Sequence, residues 1–343
     1  MSQVVEYLAE LTGFRDRDVL DVTLVGALKD LLEPRAVAIY RCIGEGAERR
    51  WITRARQAAG DLVASADPLW QDPATLPTLE SEPARQACML RQEPLTIDGD
   101  PAKSLFPLCS DREGVGVLEV ETGLALSDEQ MRLVSSILRV YRNFEALLDY
   151  SERDTLTGLL NRKTFDEAFM RMTAVPAGLA PVAADTADAR RGGGSSAWLG
   201  VIDIDHFKRV NDGFGHLIGD EVLLLLSRLM RGSFRYQDRL YRFGGEEFVV
   251  LLRSSSHDAA RLAFERLRSR VEGYDFPRVG RITISVGVTE VRAGDTPAGA
   301  FERADRAVYY AKQNGRNQVA HHAELVASGK LTEESHDGGV ELF

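Results

Sequence analysis

The chain has little with which to staple itself together. Its 343 residues include three cysteines, Cys42, Cys88 and Cys109, scattered and with no CxxC pair among them. That excludes a disulfide framework and a thiolate zinc site, and reads as reduced, partly buried thiols. Positive charge is also in short supply: 42 Lys and Arg face 52 Asp and Glu, for a formal net charge of -10. A sequence-independent duplex DNA binder draws its affinity from clustered cations, so no DNA partner is expected. A few local cations and a divalent metal would still suffice for a nucleotide. No run reaches the roughly 18 to 20 apolar residues that cross a bilayer, so no membrane span is expected. The stretch MSQVVEYLAELTGFRDRD carries acids early and no long apolar core, unlike a secretory leader. The expectation is a cytoplasmic protein.

What is present is ordinary globular material, 44% hydrophobic and 27% charged, of a length that suggests about two domains. Residues 1–32 show helical periodicity in two pieces, through Val5, Leu8 and Leu11, then Leu20, Leu24, Leu28 and Leu31. RAVAIYRCI and RWITRAR read as strands, DPLWQDPATLPTLESEP as a loop, and EPLTID, SLFPLCS and GVGVLEVE as further strands. Residues 1–126 are therefore expected to form an α+β domain. Residues 127–151 read as one long helix, opened by Ser127 with Asp128 and Glu129. Met131, Val134, Leu138, Tyr141 and Leu148 follow steps of three and four, and Glu145 interrupts them. Such a face packs on its own domain or zips two chains together; the expectation adopted is a two-stranded coiled-coil stalk.

Residues 173–196, TAVPAGLAPVAADTADARRGGGSS, are Ala-, Gly- and Pro-rich with no apolar face and read as a disordered insertion. The rest of 152–320 alternates strand and helix with a hairpin in the middle. That pattern predicts a split βαβ, ferredoxin-like sheet of palm type, antiparallel in part, with helices on one face. From 321 to 343 the sequence is polar, and a flexible tail is expected.

One stretch resists a structural explanation. In YRFGGEEFVVLL, Gly244, Gly245, Glu246 and Glu247 interrupt what is otherwise a buried strand. Glycine in a strand leaves nothing to pack, and adjacent carboxylates are costly to desolvate. A second segment, VIDIDHFKRVND, runs an apolar strand into Asp203 and Asp205. If the two strands are neighbours, Asp203 and Glu246 converge. Clustered hard oxygen ligands are what Mg²⁺ takes, with substrate phosphates completing its shell, and the dication makes the clustering favourable. Bare glycines then let a bulky ligand approach the backbone. His206 and His216 are not read as a metal site, because no third nitrogen ligand accompanies them.

With DTLTGLLNR (154–162), DIDHFKRVNDGFGHLIGDEVL (203–223), GGEEF, ISVGV and ADRAVYYAKQNGRN in this order, residues 152–320 resemble the GGDEF family of diguanylate cyclases, in a GGEEF form. The resemblance implies an enzyme that condenses two GTP into cyclic di-GMP and two pyrophosphates. It implies Mg²⁺, with Mn²⁺ as a substitute, held by Asp203, Glu246 and the backbone carbonyl of Ile204. Glu247 would lie beside the metal and the attacking hydroxyl, either as metal ligand or as proton acceptor. Asn211 and Asp220 would read the guanine edge, and Lys208, Lys312 and Arg316 would hold phosphates; the last two, four apart, would share a helix face. Taken alone, such a Lys and Arg are a solvated helix end, and Asn211 near Gly213 and Gly215 is a turn. The family's reaction needs two facing chains, hence a homodimer. Arg235 and Asp238, an RxxD shortly before the glycines, would form a product-inhibition site with Arg266 as a further cation; the plain alternative is a surface ion pair. Residues 1–126 resemble a GAF domain, with a PAS-like fold as competitor, and would receive a small-molecule or protein signal. The rival functions are a catalytically inactive cyclic di-GMP receptor and a cyclase making a monomeric cyclic nucleotide.

Overall fold

The structure, a computed structural model, describes residues 2–13, 17–44, 46–67, 73–109, 114–173 and 196–332. The chain divides into two compact units, residues 1–151 and 152–343. The interior of the insertion, residues 174–195, and the end of the expected tail, from 333, lie outside the described residues.

The first unit opens with α1 (Ser2–Gly13) and α2 (Arg17–Leu32), followed by β1 (Ala36–Ile43), β2 (Arg50–Ala58), α3 (Pro83–Arg91), β3 (Leu95–Ile97), β4 (Ala102–Cys109), β5 (Gly114–Thr122) and α4 (Asp128–Glu152). The five strands form one antiparallel sheet in the order β2-β1-β5-β4-β3. On one face, Val37, Ile39, Phe106, Leu108, Leu118 and Val120 pack under Leu20, Leu24 and Leu28 of α2 and under α4. On the other, Trp51, Leu105 and Val117 meet Cys88 and Met89 of α3. Helix α3 is absent from the sequence reading: it is nine residues long with three buried, too short for periodicity to show, and only Pro83 in its first turn marks it. All three cysteines are free thiols, and burial pushes the Cys88 thiol up to about 12.

Helix α4 begins as expected, with a reciprocal cap. The Gln130 N–H donates to Ser127 Oγ at 3.3 Å, and the Ser127 N–H to Gln130 Oε1 at 2.9 Å. Its apolar face packs against its own unit. Val134, Ile137, Leu138, Tyr141 and Leu148 are buried in the core of their own unit. The three-four spacing is real, and within the chain the unit's own sheet covers these residues. Glu145, which interrupts the spacing, has a partner. Arg41 Nη2 donates to Glu145 Oε1 at 2.5 Å and to Tyr141 Oη at 2.6 Å, while Tyr141 donates to Asp21. Burial raises the Asp21 carboxyl, and the Arg41 guanidinium opposes that rise. A buried charge this deep needs such compensation.

The second unit contains β6 (Leu160–Asn161), α5 (Phe165–Thr173), β7 (Ser196–Ile204), α6 (Phe207–Phe214), α7 (His216–Arg231), β8 (Arg239–Gly244), β9 (Glu247–Ser254), α8 (His257–Glu272), β10 (Asp275–Phe276), β11 (Gly280–Arg281), β12 (Ile284–Glu290), α9 (Pro297–Gln313), β13 (Val319–His321) and α10 (His322–Ala327). Six strands form a mixed sheet in the order β13-β12-β7-β9-β8-β6. Strand β7 lies between β12 and β9 and is antiparallel to both. Alternation divides the buried side chains. Ile202, Ile204, Phe248, Val250, Ile284 and Val286 face α7 and α8. Asp203 and Glu247 point the other way, toward α9, whose Lys312 reaches Asp203. Helix α5 is on this second side too, with Phe165 edge-on to Tyr241 at 5.4 Å. Helices thus cover both faces, not one.

The segment from 321 does not fray at once. His321 and His322 are buried, Leu325 packs with Leu331 against α9, and Arg306 Nη2 donates to the Thr332 carbonyl at 2.7 Å. His321 is 3% exposed, both ring nitrogens lack a hydrogen-bond partner, and its ring lies 4.5 Å from that of His257. Burial first, and the neighbouring His257 second, lower it from 6.5 to about 4. Its neutral form is the folded form, so its stabilisation is complete above pH 6.5 and is lost as pH falls toward 4. A pH series of thermal unfolding should show a loss of about 3 kcal/mol across that window, and His321→Phe should flatten it. Equal slopes in the two proteins would count against His321 as the source.

Candidate active site

The site is built where β7 ends beside the β8–β9 hairpin. Register places Asp203 directly opposite Glu247, and Glu246 stands next to them at the hairpin tip. Each carboxyl is held above its ordinary value, chiefly by burial. For Glu246 the Asp203 charge adds to the rise, and for Glu247 the charges of Asp305 and Asp203 do. Asp203 is raised by burial and partly relieved by Lys312, whose Nζ lies 2.7 Å from Oδ2. The other oxygen, Oδ1, is buried without a protein partner. Ile204 is 1% exposed and its side chain packs in the core, so any part it takes in the site would fall to its backbone carbonyl.

The two glycines sit at backbone angles that other residues avoid, with φ of 147° at Gly244 and 51° at Gly245, and open space lies where their side chains would be. The tip is gripped from behind. Arg242 donates to the Gly245 carbonyl at 2.8 Å through Nη2, and its Nη1 is 3.0 Å from Asp154 Oδ1. Asp154 also accepts from the hydroxyl and amide of Thr157. Arg242 and Asp154 carried no role in the sequence reading. Their position was visible there, one just before the glycines and one opening DTLTGLLNR, but not that they meet. Asp305 of α9 was likewise passed over.

The remaining residues divide. Asp205, paired with Asp203 in sequence, is structural: it accepts from Thr283 Oγ1 and Ser285 Oγ at 2.7 Å and from the Asn317 amide at 3.0 Å. Asn211 belongs to α6, not to a loose turn, and Asp220 lies in the first turns of α7. Lys208 is exposed early in α6. Arg316 is not on one helix face with Lys312. Helix α9 ends at Gln313, and Arg316 follows Gly315 in a left-handed conformation with φ of 62°. Arg235 and Asp238 form a small loop after α7, closed by the Arg235 amide donating to Asp238 Oδ2 at 2.8 Å. Burial, against the pull of Arg235 and Arg266, pushes Asp238 up to about 6. The Arg266 Nε donates to the Ser233 carbonyl at 3.0 Å, so that cation is partly committed.

The donor set fits a small hard dication: carboxylates with raised proton affinity, one of them with an unpartnered buried oxygen. The described residues hold no ready-made group of three or more ligating side chains.

Residues 180–318 match the family described as Diguanylate cyclase, GGDEF domain. Diguanylate cyclase DgcP of Pseudomonas aeruginosa is 41% identical over 169 residues, 48% of this chain and 23% of that protein. Response regulator PleD of Caulobacter vibrioides is 39% identical over 188 residues, 52% of this chain and 37% of that protein. The chain therefore spans well under half the length of these relatives. The GGDEF domain of DgcB from Caulobacter crescentus, solved in complex with c-di-GMP, is 32% identical across 50% of this chain and 93% of its own, with a TM-score of 0.43. The active GGEEF domain of a diguanylate cyclase from Vibrio cholerae is 32% identical across 50% and 96%, with a TM-score of 0.38. The second unit is therefore similar, over residues 180–318, to the GGDEF domain of diguanylate cyclases.

Proposed function

We propose that the protein is a diguanylate cyclase, condensing two GTP into cyclic di-GMP and two pyrophosphates as a homodimer. The observation that carries this reading is the pairing of Asp203 with Glu247 across β7 and β9, with Glu246 at a glycine tip open to a ligand. Asp203, Glu246 and the Ile204 carbonyl would hold Mg²⁺, or Mn²⁺ in its place. When bound, the metal supplies charge neutralisation at the phosphates and an activated hydroxyl. The chain's own residues do the positioning. Asn211 and Asp220 offer acceptors to the guanine edge, a pattern that leaves their oxygens unpaired against adenine. Lys208, Lys312 and Arg316 face the phosphates. Glu247, raised by burial and by Asp305, is suited to accept the proton of the attacking 3′-hydroxyl. Because one domain holds one GTP, each chain supplies half of the reacting pair, and catalysis is mostly orientation.

The first unit is proposed as a GAF-like sensory domain, supported by its antiparallel sheet between helical layers. No helix of the described residues is long and apolar enough to cross a membrane. The test is direct: incubate the purified chain with GTP and Mg²⁺ and identify products by mass. Cyclic di-GMP with two pyrophosphates supports the proposal. Binding of cyclic di-GMP without turnover points to the receptor reading, and a monomeric cyclic nucleotide to the other cyclase.

A further inference from the structure

The juxtaposition of Asn211, Phe207 and Gly219 singles out a residue that the motif reading leaves without a role. Helices α6 and α7 meet at Gly215, where φ of 84° turns the chain sharply. The turn folds the first turns of α7 back against α6. Phe207 and Asn211 are four apart on α6 and so present one face. Gly219, buried in α7, lies against that face. A side-chain carbon at Gly219 would stand 2.0 Å from Asn211 Oδ1, 3.2 Å from its Cγ and 3.3 Å from Phe207 Cζ. Phe207 is 4% exposed and fixed in the core, so the Asn211 amide is the part that must give way. Asp220, the next residue after Gly219, shares the same helical turn.

We infer that Gly219 is a positioning residue for guanine recognition. Its missing side chain makes the pocket into which the Asn211 amide settles, and it brings that amide beside Asp220. This inference rests on the guanine reading of Asn211 and Asp220. Its chemistry is specific. A methyl group at 219 costs the fold little, since the atom it displaces is the far end of a flexible side chain and alanine suits a helix interior better than glycine. The same methyl group swings the amide away from the guanine edge. Stability and recognition are therefore expected to part company at this position.

The test uses the full chain and three variants: Gly219→Ala, Asn211→Ala and the double variant. Binding of a non-reacting GTP analogue is compared with that of the matching ATP analogue, and KM is separated from kcat under saturating GTP. Gly219→Ala should unfold at the wild-type temperature or above, while its affinity for the GTP analogue falls by about tenfold and its preference over the ATP analogue shrinks. KM should carry the loss and kcat should stay close to wild type. The double variant should bind no worse than Asn211→Ala, because both changes remove the same amide. Additive losses, or a Gly219→Ala protein with wild-type affinity and selectivity while Asn211→Ala has lost both, would overturn the inference and leave the guanine reading intact. An Asn211→Ala protein with unchanged affinity and selectivity would overturn the guanine reading and this inference with it.

Discussion

Asp203→Asn is expected to lower turnover by roughly a hundredfold or more, without lowering the thermal midpoint. Glu246→Gln should do the same. Both amides keep the volume and remove the charge that would hold a dication. The stability half follows from the sign of the pKa shifts. Asp203 and Glu246 are both raised in the folded state, chiefly by burial. A raised carboxyl favours the protein while protonated, and that favour is lost as pH rises through the folded value. At neutral pH the charged pair thus opposes folding, partly offset for Asp203 by Lys312, and the amide removes the strain. Activity and stability should move in opposite directions, as they do where a site is kept charged for function. Pyrophosphate release and thermal unfolding, measured on the same preparations, check it. Substantial turnover in either variant would sink the metal assignment; a steep fall in melting temperature would show the carboxylates to be structural.

Relief of product inhibition in Arg235→Ala is the second large effect expected. Arginine clamps a phosphate or guanine edge with its fork of donors, and Asp238 can accept from guanine N–H groups. Arg235 is exposed at its loop, and the loop is closed by its own amide to Asp238, so truncating the side chain leaves that bond in place. Wild-type progress curves should flatten early and those of Arg235→Ala should run on. The structure adds a pH dependence. Asp238 is pushed from 3.8 to about 6, so its carboxylate forms only as pH rises through 6. Cyclic di-GMP should bind about tenfold more weakly at pH 5 than at pH 7, and Asp238→Asn should remove that slope. Equal inhibition of wild type and Arg235→Ala, or inhibition that GTP relieves by competition, would show that the loop is not the inhibitory site.

The residues at which chemistry is proposed were legible early because they break local rules. A glycine pair and two acids inside an apolar strand have no packing explanation. The errors arose where a pattern names a face but not its partner. Met131 to Leu148 repeats as a coiled coil does, and spacing alone could not say that α4 lays the buried members of that series on its own sheet. Lys312 and Arg316 have helical spacing, but Gly315, with φ of 107°, has already ended the helix between them. Asp205 stands beside the strand end with no role given by its sequence, and Thr283, Ser285 and Asn317, far away in sequence, use up its oxygens. The segment after 320 has too few apolar residues to announce itself, and it is held by Leu325, Leu331 and two buried histidines. Arg242 and Asp154 are 88 positions apart, and no local signal joins them.

The burial of α4 bears on how such a protein can be recombined. Sensor and output modules are often exchanged by cutting at the start of a connecting helix. Here that cut, before Asp128, would strip Val134, Ile137, Leu138 and Tyr141 of the sheet that shields them and leave a sticky ribbon on the donated half. It would also take Tyr141 and Glu145 away from Asp21 and Arg41, leaving those two, among the described residues, with only each other and Arg54. A graft that keeps both halves soluble should be spliced after Glu152, with α4 inherited by the first unit.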